Sequence, residues 1–274
     1  MTYLDIALCM IDLETITREK QSSGLTMIEL LVTVAIIGLL AALLLPVLAN
    51  AAGWARAVPC QNHLREVGAA LQMYVNDNGK TYPYAIYIPD SSRPDLAHAH
   101  WFNKLEAYYP PKWASATYHC PGYRGAIDAD LHWPRQHDAL GSYAYNFRGI
   151  AGYSPLRSDG LGLGAAYGSV RPLPTSQNQI KAPSEMLAIG ESRFRQEPGV
   201  TNQTDGVDGL FCGYLTNQAG QQITFPARHG KKYNQLFCDE HVEGIDPLIL
   251  FSPARSAAKW NNDDLPHREL WPPN

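Results

Sequence analysis

The sequence predicts an α+β protein: a long N-terminal helix leading into a head of short strands and long loops. Three observations predict it. Residues 30–55 contain no charged side chain. Apolar residues recur at helical spacing through residues 61–75. Beyond Gly79 the apolar runs shorten to strand length and are bounded by turn formers.

Composition narrows the class before any motif is read. The chain has 274 residues, with 22 Lys and Arg against 26 Asp and Glu, for a net charge of −4. Charged residues are 18% of the chain, below the roughly 25% of an average soluble domain. Hydrophobic residues at 45% exclude a disordered acidic tail. The near-neutral balance argues against nucleic acid as a partner, because such binders carry a basic excess.

The first element is the apolar run of residues 25–48, in which Glu29 is the only charge. About 20 apolar residues span a ~30 Å hydrocarbon layer at 1.5 Å per residue. The run surrounds the whole helix rather than forming a stripe, as a lipid-embedded segment does. It is too long for the 7–15-residue core of an ordinary signal peptide. A plain anchor leaves Glu29 unexplained. A carboxylate at membrane depth costs on the order of 3 kcal/mol, somewhat less near the interface, and asks for a partner.

The second element is an amphipathic helix. Leu64, Val67, Leu71, Tyr74 and Val75 share one face, and Asn62, Arg65, Glu66 and Gln72 share the other. Asn76-Asp77-Asn78-Gly79 supplies stop signals. Pro59 is expected to kink or interrupt the connection to the apolar helix. Candidate strands follow at 84–88, 185–190, 222–225, 234–238 and 241–245, the last two forming a hairpin through Asp239-Glu240. Glu240 suits a tight turn poorly, so a longer or distorted turn is expected. Residues 149–168 read as a glycine-rich loop. The proline-rich residues 246–274 read as an irregular tail on the surface.

Gly24-Leu25-Thr26-Met27-Ile28-Glu29-Leu30 resembles the cleavage and methylation motif of type IV prepilins. In that family a membrane peptidase cuts after the glycine and the new N-terminus is methylated. Glu29 falls at the family's mature position five, and Pro46 at its commonly prolyl position 22. The freed amino group of one subunit can neutralise the glutamate of a neighbour when such helices bundle, because an unpartnered buried charge is heavily penalised. The leader, 1–24, departs from the family habit of short, basic leaders. It carries Asp5, Asp12, Glu14 and Glu19 against Arg18 and Lys20, and a start at Met10 would shorten it. Arg18 and Lys20 precede the helix and Arg56 and Arg65 follow it, so orientation rests on the motif rather than on charge.

Later segments resemble large bacterial pseudopilin-like proteins in the same order. They begin with Cys60-Gln61-Asn62-His63-Leu64-Arg65 and Gly79-Lys80-Thr81-Tyr82-Pro83. Tyr118-His119-Cys120-Pro121, Ser142-Tyr143-Ala144-Tyr145-Asn146 and Ala182-Pro183-Ser184-Glu185 follow. Last comes an element from His229 to Asp239-Glu240, with Glu240 where the family has glycine. The resemblance implies a pilin-like fold, with 1–24 as leader, 25–48 as membrane and assembly helix, and 49–78 as its amphipathic half. It makes 79–245 the head and 246–274 the tail. It implies a non-enzymatic subunit in a bacterial inner membrane, single-pass, with its head in the periplasm. It also implies cleavage by the prepilin peptidase and methylase, and partnership with other pilin-like subunits and the inner-membrane assembly platform of a secretion system.

Four cysteines remain beyond the leader: Cys60, Cys120, Cys212 and Cys238. Outside the cytoplasm they allow three disulfide pairings. The motif positions of Cys60 and Cys120 favour that pair. No zinc-site spacing occurs, and no metal is expected at the cluster of His98, His100, His119, His132 and His137. His229 and Asp239 are expected to form a structural hydrogen bond at the last hairpin; a tethered enzyme using His229, Asp239 and His241 is the competing reading. Asp205 and Asp208 lie in an oxygen-rich loop. Pseudopilins of the resembling kind can hold Ca²⁺ in a late loop, so these two are candidates against an ordinary Asx-Gly turn. No other cofactor is expected. No nucleophile elbow or phosphate loop is present. The aromatic middle, with Trp101, Trp113, Trp133, Tyr108, Tyr109 and Tyr143, reads as core. Its alternative is a binding face for polysaccharide or a secreted protein on a membrane-anchored module.

Overall fold

The computed structural model describes residues 26–55, 57–83, 85–87, 100–125, 127, 141–150, 160–167, 174–191 and 228–268. The predicted strand at 222–225 lies outside them, as do Gly24, Leu25, Asp205, Asp208 and Trp133. The chain divides into two units, meeting at Val47 and Leu48.

Helix α1 covers Met27–Ala55. Its stretch Met27–Leu48 is long and apolar enough to cross a membrane, at about 33 Å for 22 residues. Side chains from Thr26 to Leu48 are exposed on every face. Such a surface is costly in water and suits lipid or other helices. Pro46 lies inside the helix, where it removes one backbone donor.

Helix α2 covers Ala57–Asp77 and buries Cys60, Leu64, Val67, Ala70, Leu71 and Val75 along one stripe. Pro59 lies within α2 and does not end it. The helix ends where Gly79 adopts φ 65° and the Lys80 N–H bonds the Val75 carbonyl at 2.9 Å.

The described strands are β1 (Ala85–Tyr87), β2 (Tyr143–Tyr145), β3 (Ala165–Tyr167), β4 (Leu187–Glu191), β5 (Tyr233–Phe237) and β6 (Val242–Ile245). A four-stranded antiparallel sheet has the order β2-β4-β5-β6. β1 and β3 form a separate parallel pair. Two of these strands escape the sequence reading. β2 lies in a stretch noted only as a motif, and β3 lies in the region read as a glycine-rich loop. Both are three residues long, too short to show a period of two.

The sheet has two covered faces. Tyr143, Tyr145, Ile189 and Leu236 join the α2 stripe in one core. Ala144, Leu187, Tyr233 and Phe237 join Leu250, Phe251, Ala257 and Trp260 in the other. Alternation along β2 and β5 sends successive side chains to opposite faces. Gly68 lets α2 approach β5: a Cβ there would lie 2.8 Å from a Leu236 methyl.

Over the described residues 246–268, the second core corrects the reading of 246–274 as a surface tail. Beyond the short helix α3 (Trp101–Leu105), the segment forms short helices α4 (Pro247–Leu250) and α5 (Pro253–Ser256), then a 3-10 turn at Ala257–Trp260. Pro247 and Pro253 sit at helix N-termini, where they start helices rather than break them. Asp246 caps α4 by accepting from the Leu248 N–H at 2.8 Å. Trp260 is fully buried, and its indole N–H donates to the Leu250 carbonyl at 3.2 Å.

Candidate functional site

Among the described residues, two places hold the chemistry. The first is the start of α1. Thr26 is its N-cap and Glu29 its third residue, an arrangement in which each side chain satisfies the other's backbone donor. The Thr26 N–H and hydroxyl both donate to Glu29 Oε2 at 2.9 Å, and the Glu29 N–H donates to Thr26 Oγ1 at 3.2 Å. The reading of Glu29 as an assembly residue overlooked this box, although Thr-x-x-Glu before an apolar run is its signature. The carboxylate therefore has a local partner in the single chain, and the cap fixes its direction at the helix start.

The second place lies inside the head. Cys60 comes from the first turn of α2, Cys120 from the turn after the short 3-10 segment Ala116–Tyr118, and Glu191 from the last residue of β4. His229 precedes β5 in a turn where residues 229, 230 and 231 all have positive φ, at 41°, 70° and 74°. Three successive left-handed residues, two of them not glycine, store strain that surrounding contacts must hold.

All four side chains are buried, and one donor atom from each lies within 4.8 Å of the others. Cys120 Sγ is 3.1 Å from His229 Nε2, and Cys60 Sγ is 3.3 Å from Glu191 Oε1. His229 Nε2 is 2.8 Å from the same carboxylate oxygen. The other oxygen, Oε2, accepts the Asn234 N–H at 2.7 Å. Arg228 Nη1 stands 3.8 Å from Oε1. Around the sulfurs, the Gly122 N–H donates to Cys120 Sγ at 3.3 Å and the Tyr143 hydroxyl lies 3.4 Å from Cys60 Sγ.

These contacts set the charges. Burial works against an imidazolium at His229, but the hydrogen bonds to Cys120 and Glu191 prevail and its pKa rises to about 9. The hydrogen bond from Cys60 draws the Cys120 thiol down to about 7, against its burial and with help from His229. Burial pushes the Cys60 thiol well up. Burial also opposes the charged form of Glu191, yet His229 and Arg228 keep its carboxyl below the ordinary value.

The structure brings Cys60 and Cys120 together, as their pairing required, but both are free thiols, and so is Cys238. His229 does not meet Asp239. Its ring turns into the head toward Glu191. Asp239 instead pairs with His241 Nδ1 at 2.5 Å across the exposed hairpin turn. The expected structural bond and the competing enzyme-like trio are therefore both absent from the described residues, because His229 and Asp239 face different environments. Glu191 was missed in the sequence. Its signal was a carboxylate closing an otherwise uncharged five-residue strand, Leu187–Glu191.

The described members of the histidine cluster and of the aromatic middle are in packed surroundings. His119 bonds the Trp113 carbonyl at 2.7 Å and Ser142 Oγ at 3.2 Å, and His100 stacks on Phe102. Trp101, Trp113, Tyr109 and Tyr143 are buried, so these rings present no open face for sugar stacking. Their contribution is to the core.

The pattern described as the prokaryotic N-terminal methylation motif matches residues 20–45. The chain is similar to type II secretion system core protein G of Pseudomonas aeruginosa, with 38% identity over 61 residues. That match covers 22% of this chain and 43% of the relative, so it spans less than half the relative's length. No solved structure matches the chain.

Proposed function

We propose that this prepilin-like, pseudopilin-like chain is a non-enzymatic structural subunit of a type II secretion pseudopilus or type IV pilus-like fibre. It is cut after Gly24 by the prepilin peptidase and held in the inner membrane by its apolar helix, with the head in the periplasm. It then joins a polymer of pilin-like subunits at the inner-membrane assembly platform. One observation carries the reading: the motif around Gly24 and Glu29 opens a charge-poor helix, Met27–Leu48, with no buried face in the single chain. That surface favours lipid first and neighbouring helices afterwards, where tight packing and one satisfied charge set the register.

The cleavage and the partners are inferences from the motif and from the relative's name. The test is electron microscopy of cells that express the full chain together with a type II secretion assembly machinery. Filaments labelled by antibodies to the head are the expected result. Abundant chain in the membrane with no labelled filaments would oppose the reading.

A further inference from the structure

The buried cluster in the head is not accounted for by filament assembly. We propose that Cys60, Cys120, Glu191 and His229 bind one Zn²⁺ ion in a closed, structural site.

The donor set is the first argument. Two sulfurs, one imidazole nitrogen and one carboxylate oxygen form a ligand set that a tetrahedral, borderline-soft ion accepts. Zinc bonds of about 2.0–2.3 Å to such donors place neighbouring ligand atoms about 3.3–3.8 Å apart. The observed separation of 3.3 Å lies at the lower edge of that range, and those of 3.1 and 2.8 Å are shorter, as direct hydrogen bonds are. To seat an ion, these three pairs need to part by only a few tenths of an ångström to about half an ångström, and every donor atom of the four already lies within 4.8 Å of the others.

Charge is the second argument. Zn²⁺ with two thiolates and one carboxylate carries a net −1. The Arg228 guanidinium, 3.8 Å from Glu191 and shut off from solvent, offsets that charge. The assembly is then neutral, which a buried site requires. Binding releases the thiol protons and the proton on His229 Nε2 to solvent, since each ligand atom must be free to bind the ion.

Support around the ligands is the third argument. The Gly122 N–H points at Cys120 Sγ, the Tyr143 hydroxyl at Cys60 Sγ, and the Asn234 N–H at the Glu191 oxygen that faces away from the cluster. Such bonds orient ligands before the ion arrives. A Cβ at Gly122 would sit 3.2 Å from the His229 ring, so glycine keeps the approach open. The strained turn at residues 229–231 aims the ring inward. With four protein ligands and no exposed position, the ion ties α2, the Cys120 turn, β4 and the start of β5 together. It does no chemistry on a substrate.

The experiment uses the full chain, purified in detergent under reducing conditions without metal-affinity steps. Elemental analysis should find one zinc per chain. After chelation, reloading with Co²⁺ alone should give the visible bands of a tetrahedral cobalt–thiolate centre, saturating at one ion per chain. Glu191→Gln preserves the side chain's size and should weaken Co²⁺ binding by more than about a hundredfold, beyond the loss of a merely supporting partner. The double variant C60S/C120S should lose the cobalt–thiolate bands. If the wild-type chain holds no zinc and gives no thiolate bands with Co²⁺, the proposal fails whatever the variants do. A Cys60–Cys120 disulfide mapped by mass spectrometry in chain isolated without reductant also overturns it.

Discussion

His229 Nε2 lies 2.8 Å from Glu191 Oε1, and both side chains are closed to solvent. The pair links the strained turn before β5 to the end of β4. Glu191 also faces Arg228 and accepts the Asn234 N–H, so one carboxylate serves two cations and a strand donor. Removing one member of a buried charge group costs about 3–5 kcal/mol, because its partners stay buried. In the metal-free chain, Glu191→Ala should lower head stability by that amount. Glu191→Gln should cost less, since an amide oxygen can still accept from Asn234. Urea unfolding followed by tryptophan fluorescence reads both values, and equal losses would contradict the account.

Glu240 carries a left-handed backbone, φ 74°, at the turn between β5 and β6. The Glu240 N–H bonds the Phe237 carbonyl at 3.1 Å, and the Phe237 N–H bonds the His241 carbonyl at 3.0 Å. This is a turn closed by a left-handed residue, a position that glycine fills without strain. Glu240 is exposed, so its carboxylate is dispensable for packing. Glu240→Gly should stabilise the head by about 1 kcal/mol, or a rise of roughly 2–4 °C in melting temperature. A fall in melting temperature would contradict the turn geometry.

Trp260 separates the observed C-terminal segment from the surface tail that its prolines suggested. Its side chain is fully buried against the sheet, and its N–H also reaches Ser256 Oγ at 3.1 Å. Trp260→Ala should cost about 3–5 kcal/mol, the range for emptying a large aromatic site. The midpoint of urea unfolding checks it. A shift below about 0.5 kcal/mol would mean that the segment lies outside the core.

Glu29 is held by Thr26 in the single chain, through two bonds to Oε2 at 2.9 Å. In a bundle, a neighbour's freed amino group would add a charge-assisted bond of about 1.5–3 kcal/mol. Glu29→Ala should therefore leave membrane insertion intact and lower incorporation into filaments by roughly tenfold or more. Membrane fractionation and filament pull-down measure the two separately. Normal incorporation would remove Glu29 from the assembly mechanism.

The sequence revealed those parts of the fold that repeat a pattern over several turns. The charge-free run of α1 and the Leu64–Val67–Leu71–Val75 stripe of α2 each span many residues, so their periods stand out. The hairpin of β5 and β6 was legible because turn residues bracket it. β2 and β3 were not, since three residues cannot display alternation and their pairing partners are distant in sequence. The cluster was half legible. Cys60 and Cys120 were noticed as a pair, but Glu191 and His229 are joined to them only by the sheet, at separations of 131 and 109 residues. No local spacing encodes such a meeting. Local spacing did encode the Thr26–Glu29 cap, and the membrane reading of Glu29 obscured it.

The most direct test of the account is mass spectrometry of the N-terminus of chain recovered from membranes of cells that also express a prepilin peptidase. The account predicts a chain that begins at Leu25 with one methyl group on its amino nitrogen, and with Glu29 as its fifth residue. Recovery of chain that still carries residues 1–24 would contradict it.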